Sequence, residues 1–174
     1  MNETIFTIGH STLSINKFIE VLKAFKVQMV ADVRTIPGSR HNPQFNEEAL
    51  AGSLSEIGVG YIHLVNLGGL RKTTSNSINT AWRNASFRGY ADYMQTKEFE
   101  EGLNQLIDIA GNDVTVIMCS EAVPWRCHRS LIGDALLVRG FKVEDIMSAN
   151  VTRPHELTEW AKVDGYRITY PGGI

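Results

Sequence analysis

Short runs of β-branched residues alternate with amphipathic stretches five times along the 174 residues of this chain. Between the runs, apolar residues recur at the three-and-four spacing of one buried helix face, as at Ile15, Phe18, Ile19 and Leu22. Strands that alternate with helices pair in parallel, and the helices cover both faces of the sheet. The pattern therefore predicts a doubly wound, three-layer α/β fold with a mostly parallel sheet of about five strands. The runs are TIFTIGHS, QMVADVR, YIHLVNLGG, DVTVIMC and FKVEDIMS.

The length and composition fit one domain with a full hydrophobic core. Since 43% of the residues are hydrophobic and 21% are charged, we expect residues 1–174 to form a single α/β domain. The polar stretch 71–89, RKTTSNSINTAWRNASFRG, shows no clear period and predicts a mobile loop or lid. Its aromatic residues and arginines would either cover a nucleotide or seat the loop on the core. The tail predicts a short helix in PHELTEWAK, followed by an extended end.

The charge and the apolar pattern narrow the classes of partner and location. A formal charge of −2 and a pI near 6.2 lack the summed positive charge of non-specific nucleic-acid binding. No stretch reaches the roughly 18 apolar residues of a membrane span, and the N-terminus lacks the basic and apolar regions of a secretory signal. We therefore expect a soluble, cytoplasmic protein without a membrane partner. In that reducing compartment the two cysteines should be free thiols.

Residues able to bind or react stand directly after four of the five predicted strands. Ligands of doubly wound sheets bind in the crevice outside the carboxyl ends of the strands, so these residues should share one site. They are His10 and Ser11 after the first strand, Asp32, Arg34, Ser39 and Arg40 after the second, Gly68, Gly69 and Arg71 after the third, and Cys119, Glu121, Cys127, His128 and Arg129 after the fourth.

The arginines of this set predict an anionic ligand, because a guanidinium group pairs with phosphate or carboxylate oxygens in a bidentate way. Gly68 and Gly69 would let the backbone approach that ligand, and the helix after Pro124 would add free N–H groups. Each arginine could instead form a structural ion pair with Asp32, Glu121 or a surface carboxylate. We expect a phosphorylated or nucleotide-like small molecule, or a nucleic-acid end, as the ligand. No residue pattern specifies a cofactor.

Three residues are candidates for catalysis. His10 and Glu121 are the candidate acid and base, because a histidine at a strand end titrates near neutrality and a nearby carboxylate can orient it. Cys127 is the candidate nucleophile, since a helix start beside Arg126 and His128 should lower the pKa of its thiol. The alternative is that His10 caps a loop and that both cysteines are buried structural residues.

The stretch CSEAVPWRCHR, residues 119–129, also admits other chemistries. A phosphatase or rhodanese loop places five residues between its cysteine and arginine, whereas six separate Cys119 from Arg126 here. A metal site is not predicted, because the chain has neither a Cys-x-x-Cys nor a His-x-x-x-His pair. The alternative from a different class is a non-catalytic module that senses a metal, a redox change or a ligand through Cys119, Cys127 and His128.

The segments TIGHS, DVRTIPGSR, LGGLR, YADYM and CSEAVPWRCHR, in that order, resemble the family called domain of unknown function 488. The resemblance covers about residues 4–147, and several spaced motifs carry it. Because that family is uncharacterised, the resemblance implies a shared site and no particular reaction. The positions that fall on its motifs are Gly9, His10, Ser11, Asp32, Arg34, Pro37, Ser39, Arg40, Gly68, Gly69, Cys119, Glu121, Cys127, His128 and Arg129.

Overall fold

The computed structural model describes residues 3–172 as an α/β domain with one large sheet and a small hairpin. The strands are β1 Thr4–Gly9, β2 Met29–Asp32, β3 Gly60–His63, β4 Thr115–Cys119, β5 Lys142–Ser148, β6 Val151–Pro154, β7 Lys162–Asp164 and β8 Arg167–Thr169. The helices are α1 Ile15–Ala24, α2 Glu47–Glu56, α3 Ala85–Tyr93, α4 Lys97–Asn112 and α5 Arg129–Val138, with short 3-10 turns at Pro43–Phe45, Val65–Leu67 and Pro124–Arg126.

The large sheet has the strand order β3-β2-β4-β1-β5-β6. Its first five strands are parallel and correspond to the five predicted runs, so the predicted fold class is confirmed. The sixth strand, β6, pairs antiparallel with β5 after a bulge between Ile146 and Ser148. Strands β7 and β8 form a separate antiparallel pair.

Helices cover both faces of the sheet. Neighbouring residues of one strand point to opposite faces, so Val30 packs with α1 and α2 on one side while Ala31 packs with α3, α4 and α5 on the other. All five residues of β4 are buried, which confirms that DVTVIMC is a central strand. The side chain of Ser14 caps α1 by accepting a hydrogen bond from the Lys17 backbone N–H at 3.1 Å.

The chain reverses its direction across the sheet after β3. The connections from β1 to β2 and from β2 to β3 run toward one edge of the sheet, whereas the connection from β4 to β5 runs toward the other. The loops after β2 and β4 therefore leave toward opposite faces, and a crevice opens between them at the carboxyl ends of the strands. In doubly wound folds this switch point is where ligands bind.

The tail differs from the sequence prediction. The segment PHELTEWAK was expected to be a helix, but Pro154 ends β6 and residues 155–161 form irregular turns. These residues are bonded mainly to the core, because the buried carboxylate of Asp134 accepts from the backbone N–H of Thr158 at 3.1 Å and contacts His155 Nε2 at 2.9 Å. Tertiary bonds here replace the local bonds of a helix.

Residues 71–84 contain no helix or strand, and the last part of the predicted lid belongs to α3, which starts at Ala85. The carboxylate of Asp92 ties this segment to α3 by accepting hydrogen bonds from Thr74, Ser77 and Asn79. That the segment moves as a lid stays a prediction. Within residues 3–172, no helix combines the length and apolar character needed to cross a membrane.

Candidate functional site

The carboxyl ends of the central strands lie level with one another. Gly9 of β1 stands beside Cys119 of β4, and Asp32 of β2 stands beside Met118. The loops after β1 and β4 then stay in contact, since the His10 backbone N–H donates to the Cys119 carbonyl at 2.9 Å. A Cβ atom on Gly9 would stand 1.8 Å from the carbonyl oxygen of Glu121. Only glycine allows this close approach of the two loops.

A cavity of about 380 Å³ opens at these strand ends, within the size range of small-molecule sites. Six of the predicted site residues line it, and they come from the loops after β2, β3 and β4. They are Arg34, Gly69, Cys119, Glu121, Cys127 and His128. Phe87, Tyr90 and Arg126 also line it, although they were not among the predicted site residues.

The two cysteines are in direct contact in the wall of this cavity. Both are free, as expected, and the Cys127 thiol donates a hydrogen bond to Cys119 Sγ at 2.7 Å. Arg129 Nη1 donates to the same sulfur at 2.6 Å. Burial of Cys119, only 3% exposed, opposes its ionisation, but these two donors and the arginine charge outweigh burial and lower its pKa to about 7. Of the two thiols, Cys119 is therefore the one that ionises more readily.

Cys127 has the opposite character. Its pKa is raised well above the ordinary value, because its proton is held by the hydrogen bond to Cys119 and because the side chain is buried. The prediction that the helix start makes Cys127 the acidic thiol is wrong. Cys127 lies two residues before α5, and its sulfur accepts from the backbone N–H of Arg129 at the long distance of 3.5 Å.

Arg129 lies beneath the loop after β4 and does not line the cavity. Its side chain, 1% exposed, donates to Thr7 Oγ1 at 3.2 Å, to the carbonyl of Glu121 and to the carbonyl of Ala122 at 3.3 Å, in addition to Cys119. Among residues 3–172 it forms no ion pair with a carboxylate. A buried cation needs compensating partners, and Arg129 has the Cys119 sulfur in direct contact and the Asp145 carboxylate, which accepts a hydrogen bond from Thr7 Oγ1, in its surroundings.

Arg34 forms the structural ion pair that the sequence analysis kept as an alternative. Its Nε and Nη2 donate to the Asp32 carboxylate at 2.9 and 2.7 Å, and Tyr61 Oη donates to the same carboxylate at 2.6 Å. Both members of the ion pair are buried. Nη1 is directed toward His10 Nε2 at 3.4 Å. Arg34 thus reaches the cavity with most of its donors already used.

His10 is buried behind the cavity rather than in it. Its ring stacks on Phe45 at a centroid distance of 4.3 Å. Because a carbonyl can only accept, His10 Nδ1 carries the proton and donates to the Ser11 carbonyl at 2.9 Å. Burial lowers the pKa of His10, the Ser11 bond opposes that change, and the nearby Arg34 charge adds to it. The ring is therefore neutral at neutral pH.

His128 presents a lone pair to the thiol pair. Its Nε2 donates to the Val33 carbonyl at 2.8 Å, so Nδ1 is unprotonated and lies 3.7 Å from Cys127 Sγ. Burial lowers the pKa of His128 to about 4. A Cβ on Gly69 would stand 3.1 Å from this Nδ1, so the small residue at that position makes room for the imidazole.

The remaining predicted residues lie in the loops around the cavity without lining it. Arg71 stacks over the Tyr93 ring at 3.7 Å and donates to the Gly68 carbonyl at 3.2 Å. Ser39 Oγ accepts from the Asn42 backbone N–H at 3.0 Å, while Arg40 is exposed. Asp32, Ser11 and Gly68 likewise contribute no cavity surface.

Arg126 is the cation that the sequence reading missed. It is exposed, it lines the cavity, and in the described part of the chain its guanidinium has no hydrogen bond or ion pair. Its position between Cys119 and Cys127 in the sequence could have indicated that it belongs to the site. Glu121, on the same loop, lines the cavity and accepts from the Val123 backbone N–H at 3.1 Å.

Comparison with known proteins adds a family and no activity. Across residues 3–172 no group of three or more histidine, cysteine or acidic side chains is placed to hold a metal ion. Neither the curated proteins nor the solved structures include a match to this chain. A family model described as "Domain of unknown function DUF488" matches residues 14–136, which include Arg34, Cys119 and Cys127. The chain therefore belongs to the DUF488 family.

Proposed function

We propose that this protein is an enzyme that binds a small anionic ligand in the cavity at the strand ends and attacks it with the Cys119 thiolate. The observation that carries the proposal is the contact of Cys119 Sγ with the buried Arg129 guanidinium at 2.6 Å. This contact makes Cys119 the more nucleophilic of the two thiols at neutral pH. The phosphorylated or nucleotide-like ligands expected from the sequence belong to this anionic class.

Charge at the cavity supports an anionic ligand. Arg126 is exposed there with no partner among the described residues, and Arg34 contributes a second guanidinium behind it. Glu121 is the one carboxylate that lines the cavity within residues 3–172. Because Asp32 already compensates the charge of Arg34, Arg126 is the cation left for an anionic ligand among the described residues that line the cavity, although the whole chain is slightly negative. Two free thiols also fit the cytoplasmic location that we propose.

The roles of the predicted catalytic residues change with this proposal. Cys119 takes the place of Cys127 as nucleophile, and Glu121 remains the acid or base that borders the cavity. His10 acts as a positioning residue, because it is neutral and contacts Arg34 rather than the open space. Arg129 stabilises the thiolate and does not contact the ligand.

Alkylation as a function of pH tests the proposal. Iodoacetate is an anion and iodoacetamide is its neutral counterpart, so their rate ratio reports attraction of negative charge. We expect Cys119 to react with an apparent pKa near 7 and to favour iodoacetate more than a free cysteine peptide does. Arg126→Ala should reduce that preference, whereas the exposed Arg167→Ala, away from the cavity, should not. An apparent pKa of an ordinary thiol, or no preference for iodoacetate, would overturn the proposal.

The alternative function, a non-catalytic sensing module, is favoured by one observation on the same pair of cysteines. The contact between their sulfur atoms at 2.7 Å suits a redox response more than a ligand or metal response. Metal analysis of the purified protein distinguishes the metal form of this alternative, because a stoichiometric bound metal would occupy the thiols and suppress alkylation.

A further inference from the structure

We propose that the two cysteines carry out thiol–disulfide exchange with a small anionic disulfide, in which Cys119 attacks the substrate and Cys127 resolves the mixed disulfide. The inference rests on the proposed function, because it assigns a substrate class to the same cavity and the same nucleophile. It adds a role for Cys127, which the nucleophile alone does not require.

The placement of the sulfur atoms supports a two-cysteine reaction. Cys119 ends β4, Cys127 follows the 3-10 turn Pro124–Arg126, and this turn folds back so that the two Sγ atoms are 2.7 Å apart. Both residues line the cavity. A substrate sulfur bonded to Cys119 would therefore lie beside the second thiol. That proximity is the geometric requirement for resolution of a mixed disulfide.

His128 supplies an acceptor for the resolving thiol. In the resting state the Cys127 S–H donates to Cys119 Sγ. Once Cys119 is bonded to the substrate, its sulfur no longer carries the negative charge that held this proton. The His128 Nδ1 lone pair, 3.7 Å from Cys127 Sγ, is then the remaining acceptor. Because Nε2 is fixed by the Val33 carbonyl, the lone pair stays directed at the thiol.

The exchange is balanced in two steps. The Cys119 thiolate forms a bond to one sulfur of the substrate disulfide, the substrate S–S bond breaks, and its electron pair leaves on the departing thiolate. Cys127 then bonds to Cys119 Sγ and displaces the second substrate sulfur, which takes the Cys127 proton. The two cysteines are oxidised to a disulfide, and the substrate is reduced to one thiolate and one thiol. A small external dithiol returns the protein to its reduced state by the reverse exchange.

The charge at the cavity selects among disulfides. Arg126, exposed and without a partner within the described residues, lines the same cavity as the two cysteines. A disulfide that carries carboxylates gains attraction there, and its departing thiolate is stabilised by the same charge. An uncharged disulfide gains neither.

Single-turnover reaction with 5,5′-dithiobis(2-nitrobenzoate), a dianionic disulfide, tests the inference. The wild-type chain should release two equivalents of the coloured thiolate, one for each of its two cysteines, and its mass should show an internal disulfide without an adduct. Cys127→Ala should release one equivalent and retain one adduct on Cys119. Cys119→Ala should lose the fast phase. A wild-type chain that retains adducts on its cysteines and forms no internal disulfide would overturn the inference.

A second disulfide probe and the alkylation data separate the two proposals. Arg126→Ala should slow the dianionic probe about tenfold but leave the reaction with uncharged 2,2′-dithiodipyridine nearly unchanged, and equal slowing of both would refute the charge selection. If Cys119 is alkylated as an acidic thiol but no internal disulfide forms, the proposed disulfide exchange is refuted. The proposal that Cys119 is the nucleophile is then kept. If Cys119 alkylates as an ordinary thiol, the proposed function itself fails.

Discussion

Replacement of Cys127 by alanine should raise the pKa of Cys119. The substitution removes the donor that reaches Cys119 Sγ at 2.7 Å and leaves the Arg129 contact in place. A hydrogen bond to a charged group contributes about 1.5–3 kcal/mol, and one pKa unit corresponds to about 1.4 kcal/mol. The pKa of Cys119 should therefore rise by about one to two units from its value near 7.

The variant is well suited to measurement, because Cys119 is then the only thiol of the chain. The ultraviolet absorbance of the thiolate, followed against pH, gives the pKa without the need for a reagent to enter the cavity. Cys127→Ser is the matched control, since its hydroxyl keeps a donor at the same position and should hold the pKa closer to 7. An unchanged pKa in Cys127→Ala would refute the account, and Arg129 alone would then explain the acidity.

Three further substitutions test the stability of the fold. Burial lowers the pKa of His128 to about 4 while the unfolded chain takes its proton near pH 6.5, so stability should fall by about 3 kcal/mol as the pH drops through that window. His128→Gln should remove this loss in urea unfolding. Gly9→Ala, with Cβ 1.8 Å from the Glu121 carbonyl, should lower the free energy of unfolding by about 3 kcal/mol. Tyr170→Phe removes a 2.7 Å bond to buried Asp134 and should cost about 2 kcal/mol in the same assay.

Local pattern predicted the parallel strands because each carries its own apolar run. Strand β4 is the clearest case, since all five of its residues are buried. The same reasoning was wrong for PHELTEWAK, whose helical spacing competes with bonds that only the folded chain offers. His155 and Thr158 contact the Asp134 carboxylate of α5, more than 20 residues earlier in the sequence. A single sequence contains no sign of that contact.

Position along the chain after a strand predicted part of the candidate site in a similar way. It grouped Arg34, Cys119 and Glu121, because residues at or immediately after the ends of parallel strands are carried to one edge of the sheet. It was less informative for residues farther along a loop, whose direction depends on tertiary neighbours. Arg71 lies four residues after the 3-10 turn Val65–Leu67; its guanidinium stacks on the ring of Tyr93, and the residue does not line the cavity.

Which of the two thiols ionises depends on the position of the Arg129 side chain. The position of Cys127 near a helix start favours it as the acidic thiol when only the residues adjacent in sequence are considered. Arg129 instead turns back beneath the loop, where Thr7 Oγ1 accepts from its Nε and in turn donates to Asp145. Its Nη1 then meets Cys119 at the end of β4. Because a buried guanidinium and a buried thiolate each lower the cost of the other's charge, the arginine and Cys119 form one unit. The acidic thiol is therefore the one at the strand end.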